Sequence, residues 1–117
     1  MNFDQMKHAI VTQTEDQVFL FASTNTAKMF LNSLGRHLPT NFEIEQTISR
    51  AEIKNPNGFT THFISSSSSP EPYEDMKLSY VSEFVSPEGK WLKRTLSDMV
   101  KQANAYEQKQ KGEHNDQ

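Results

Sequence analysis

Phe42-Glu43-Ile44-Glu45-Gln46-Thr47-Ile48-Ser49-Arg50-Ala51-Glu52-Ile53-Lys54-Asn55-Pro56-Asn57-Gly58-Phe59-Thr60-Thr61-His62-Phe63-Ile64 is the stretch on which the fold is decided. Apolar and polar residues alternate on both sides of Asn55-Pro56-Asn57-Gly58. Phe42, Ile44 and Ile48 share one parity before the turn, and Phe59, Thr61 and Phe63 share one after it. Period-2 alternation places alternate side chains on one face of a strand. The turn has its own chemistry. The Asn55 side chain can cap, Pro56 presets φ, and Gly58 accepts a positive φ. The stretch therefore predicts an antiparallel hairpin, with a bulge or bend near Ser49-Arg50 where the parity changes before Ala51 and Ile53.

On the amino-terminal side, Ser23, Thr24 and Asn25 offer N-caps. Ala27, Phe30, Leu31, Leu34 and Leu38 recur at helical spacing, and Gly35 and Pro39 mark the end of that helix. Val18-Phe19-Leu20-Phe21 is apolar on both parities, the pattern of a central strand covered on both faces. Residues 7–13 and 17–23 flank a polar Thr14-Glu15-Asp16 segment and read as a first hairpin. Phe3, Met6, Ile10 and Val11 also fit helical spacing, so a short N-terminal helix is the rival reading.

On the carboxyl-terminal side, residues 65–75 hold five consecutive serines, two prolines and three acidic residues without apolar periodicity. This predicts a mobile surface loop. Met76, Leu78, Tyr80 and Phe84 alternate as a further strand. Ser86-Pro87-Glu88 suits a helix start. Leu92, Thr95, Leu96, Met99, Val100, Ala103 and Tyr106 then form a helical stripe with Trp91 at its edge. The expected architecture is α+β: a mostly antiparallel sheet of about five strands in the order ββαβββα, with two helices packed on one face. Residues 1–111 form a single domain, and 112–117 a disordered tail.

The 117 residues suffice for one modest core, and there is no cysteine. Disulfides, thiol catalysis and thiolate zinc sites are excluded. Residues 1–87 carry six Lys/Arg against ten Asp/Glu; residues 88–111 reverse this, six against three. The body is acidic and the last helix basic. Without a signal sequence or an apolar run long enough to span a membrane, the expected location is the cytoplasm.

His8, His37, His62 and His114 show no metal-ligand spacing. No glycine-rich phosphate loop and no nucleophile elbow is present. No cofactor, metal or catalytic residue is expected. A small hydrolase or nuclease would rest on His62, which the hairpin brings toward Glu52.

Two binding classes remain. The first is a non-enzymatic protein that binds and modulates another protein, of inhibitor, immunity or phage and plasmid accessory type. Its candidate residues are Tyr73 among Glu71, Glu74 and Asp75, together with Trp91, because aromatics anchor interfaces. The terminal helix also offers a homodimer surface. The alternative is single-stranded nucleic-acid binding through Lys90, Lys93 and Arg94, with Phe59, Phe63, Tyr80 and Phe84 as stacking rings.

Overall fold

The computed structural model describes residues 2–85 and 89–115, the backbone alone for residues 89, 102, 105 and 107–115. The chain divides into two units, Met1–Ser86 and Pro87–Gln117, each taken by itself.

The first unit opens with helix α1, Phe3–Val11. Asn2 caps it in a reciprocal box. The Gln5 amide donates to Asn2 Oδ1 at 2.9 Å, and the Asn2 amide donates to Gln5 Oε1 at 2.8 Å. Met6 and Ile10 face inward. Strand β1, Gln17–Phe21, follows, then helix α2, Thr24–Gly35, capped by Ser23, whose hydroxyl accepts from the Thr26 amide. Strands β2 (Glu43–Gln46), β3 (Ala51–Lys54) and β4 (Thr60–Ser65), a 3-10 turn at Glu71–Tyr73 and strand β5 (Lys77–Val81) complete the unit.

The five strands form one sheet in the order β2-β3-β4-β1-β5. The expectation of a mostly antiparallel sheet is corrected here. β2–β3 and β3–β4 are antiparallel, but β1 runs parallel to both β4 and β5. The cause lies at the N-terminus. Residues 3–11 are helical, so β1 has no hairpin partner beside it in sequence. Its two neighbours arrive later, and both run in its own direction. The helix count is corrected with it, to three α-helices among the described residues rather than two. The two that pack with one face of the sheet are α1 and α2, through Met6, Ile10, Ala27, Leu31 and Leu34 against Phe19, Phe21, Ile53 and Phe63.

The bend anticipated near Ser49-Arg50 is a full reversal. Glu43 pairs with Lys54 and Gln46 with Ala51, so residues 42–54 make a hairpin of their own. The Thr47 amide donates to the Arg50 carbonyl at 2.8 Å, and the Arg50 amide donates to the Thr47 hydroxyl at 3.0 Å. Ile48, at the tip, is 98 % exposed. The turn at Asn55–Gly58 forms as read: Gly58 has φ +96°, and its amide donates to the Asn55 carbonyl. The central-strand reading of β1 also holds, since all five of its residues are buried.

Polar side chains close the end of the sheet where the parallel strands begin. Gln17 donates to the Ala9 carbonyl and the Thr61 hydroxyl, and accepts from the Ser79 hydroxyl at 2.7 Å. Gln13 donates to the carbonyls of Glu15 and Thr60 and accepts from Thr61. Asn55 donates to the Ile10 carbonyl at 2.9 Å, pinning the hairpin turn to the end of α1. Among the described residues no buried side-chain nitrogen or oxygen lacks a partner, as a stable interior requires.

The second unit is helix α3, Gly89–Asn115. The expected cap at Ser86-Pro87-Glu88 lies outside the described residues, as do Asp116 and Gln117 of the expected tail. Arg94 and Asp98 pair one turn apart at 3.2 Å. Leu92, Leu96, Met99, Val100 and Tyr106 are exposed.

Candidate functional site

A cleft of about 480 Å³ opens along β3 and β4 toward the carboxyl end of β4. Three features of the chain make it. β3 begins only at Ala51 and its pairing with β4 ends at Glu52 and His62, so the last residues of β4 have no paired strand on that side. The 47–50 turn borders this gap through Ile48, Ser49 and Arg50. The first turns of α2 and the serine-rich segment after β4 form the remaining walls, through Thr24, Lys28 and Ser68.

Glu52 and His62 sit directly opposite each other in the β3–β4 ladder, so the hairpin register alone brings them together. His62 Nδ1 lies 3.3 Å from Glu52 Oε2, and both side chains are largely buried. Opposing influences act on the imidazole. Burial pushes its pKa down from the ordinary value, and Glu52 pulls it up; burial is the larger. His62 is therefore neutral near pH 7, and the 3.3 Å approach is a contact of imidazole with carboxylate rather than a formed ion pair.

Tyr73 joins this pair from the 3-10 turn, its ring centroid 5.5 Å from that of His62 at an interplanar angle of 55°. Burial, and then the charge of Glu52, raise its phenol pKa above the usual value. Arg50 faces the cleft and meets Glu45 at 3.7 Å. The assembly has a hydrogen-bonding imidazole, a phenol, two cations and several hydroxyls in one concave place. That is a ligand-binding inventory.

The residues proposed from sequence fall in three places. Tyr73 lies at the cleft, half-buried over His62, while Glu71, Glu74 and Asp75 stand exposed beside it. Trp91 is buried. On α3, Lys90 and Lys93 are exposed, and Arg94 is held by Asp98. Of the rings considered for stacking, Phe63 belongs to the core and Tyr80 packs against it; Phe84 is 77 % exposed. Lys28 was not anticipated, because nothing in the sequence ties the α2 face to the β3–β4 hairpin.

Compared with protein-family models, curated proteins and solved structures, the chain matches none of them. Among the described residues no three His, Asp or Glu side chains gather as a metal site, and no helix is long and apolar enough to cross a membrane.

Proposed function

We propose that this is a non-enzymatic cytoplasmic protein that binds and modulates another protein, in the manner of an inhibitor, immunity protein or accessory factor. One observation supports this above the others. Leu92, Leu96, Met99 and Tyr106 are exposed on α3 at alternating four- and three-residue spacing, with exposed Ala103 continuing the series. That is the 3.5-residue period by which one helix meets another protein surface. Contiguous exposed apolar side chains of this kind mark interaction surfaces. Lys90, Lys93 and Lys101 are also exposed on this helix, so the partner that fits is an apolar groove with an acidic rim.

The alternative is a single-stranded nucleic-acid-binding accessory protein using Lys90, Lys93 and Arg94. It is weakened by Phe63 and Tyr80, whose rings serve the interior, and by Asp98 beside Arg94.

The test is affinity capture from nuclease-treated lysate, comparing the native chain with Leu96→Asp/Met99→Asp. A stoichiometric protein held by the native chain and lost by the variant, with unchanged circular dichroism, supports the reading. A partner lost on nuclease treatment, or retained by the variant, overturns it.

A further inference from the structure

The cleft carries charge that the fold does not consume. Lys28, half-buried on α2, makes no hydrogen bond or ion pair among the described residues. Arg50 has a distant partner, Glu45, and a side chain that is 65 % exposed. The one carboxylate in the lining, Glu52, is turned to His62. Two cations thus face a space with one carboxylate among its described lining residues, Glu52, whose charge the neutral His62 does not cancel, so the lining is positive by one charge. The hydroxyls of Thr24, Ser49, Ser68 and Tyr73 border the same space. The volume is in the range of small-ligand sites.

We infer that this cleft binds a small aromatic phosphomonoester, its phosphate met by Lys28 and Arg50 and its ring laid against the His62–Tyr73 wall. Phosphate is preferred over carboxylate on capacity. A phosphate monoester near pH 7 carries nearly two charges on three terminal oxygens, which suits two cations and a rim of hydroxyl donors. The flat part of the ligand follows from the rings of His62 and Tyr73, which both line the cleft and lie 5.5 Å apart at 55°, a tilted pair that a further aromatic ring can join. The site lies wholly within the first unit and owes nothing to the α3 surface.

The experiment is an amide NMR titration of the full chain with phenyl phosphate, with inorganic phosphate and with benzyl alcohol as separate probes. The expected result is saturable shifts at Thr24, Lys28, Arg50, His62 and Ser68. Phenyl phosphate should bind about tenfold more tightly than either fragment probe, and Lys28→Gln should weaken it about tenfold, the scale of one charge-assisted hydrogen bond. Lys28 is a helix-surface residue, and the dispersion of the variant's spectrum reports directly that it folds. Absence of saturation, shifts confined to the lysines of α3, equal binding of benzyl alcohol, or an unweakened Lys28→Gln would each overturn the assignment.

Discussion

The two ends of the parallel strands are built on opposite plans. Where β1, β4 and β5 begin, Gln13, Gln17, Asn55 and Thr61 knit the strands to α1 and to one another, and nothing is left over. Toward the carboxyl end of β4 the sheet opens into the cleft, with a lysine lacking a partner among the described residues and an imidazole kept neutral by burial. The closed end holds the topology together; the open end is where a ligand has room and reason to sit.

The contrast is broken most directly at Gln17, which is 4 % exposed. Gln17→Leu removes both donor and acceptor at the strand junction and leaves Thr61 and Ser79 to find new partners. A loss of about 3 kcal/mol in urea unfolding is expected. Asn55→Ala, which cuts the tie to Ile10 and the cap on the Asn57 amide, should cost about 2 kcal/mol by the same measurement. Gly58→Ala probes the turn alone. No atom lies within 4 Å of a Cβ added there, so the loss of about 1 kcal/mol comes from the positive φ. At the open end, Lys28→Gln should move stability by less than about 0.5 kcal/mol. If it costs as much as Gln17→Leu, the two ends do not differ and the comparison fails.

His62 sharpens the same contrast through pH. Its folded pKa lies below the unfolded value, because burial outweighs Glu52. The unfolded chain therefore takes up the proton first as pH falls. Stability from this group is complete above the unfolded pKa, near 6.5, and declines as pH drops below it until the folded imidazole also protonates. The native chain should lose stability between neutral pH and mildly acidic pH in denaturant titrations, and His62→Gln should flatten that part of the profile. A native profile that stays flat there would mean His62 is not held neutral.

What the sequence disclosed follows the range of the forces involved. The Asn55–Gly58 turn, the Ser23 cap and the doubly apolar Val18–Phe21 segment are local signals, and each forms as read. α1 was ambiguous because nine residues fit either period, although Asn2 and Gln5 stand at capping-box spacing. The Thr47–Arg50 reversal was hidden because it has no glycine, proline or asparagine. Parallel pairing was not legible at all. It depends on where β4 and β5 are delivered, and no local pattern encodes that. The candidate site divides the same way. Glu52 and His62 follow from the hairpin register, whereas Tyr73 and Lys28 reach the cleft through a loop and a helix whose placement is a tertiary matter.

The central position of β1 carries a consequence for biosynthesis. Gln17 and its partner Ser79 are 62 residues apart, and Gln17 and Thr61 are 44 apart. A ribosome releases Val18-Phe19-Leu20-Phe21 long before either flanking strand exists to cover its edges. Non-local pairing of this kind slows folding. The nascent chain therefore carries an unpaired, uncharged apolar β-segment until those strands emerge, the type of segment that seeds association between chains. A chain truncated before Lys77 leaves one edge of β1 bare permanently. Such a fragment should collect in the insoluble fraction, where the complete chain does not.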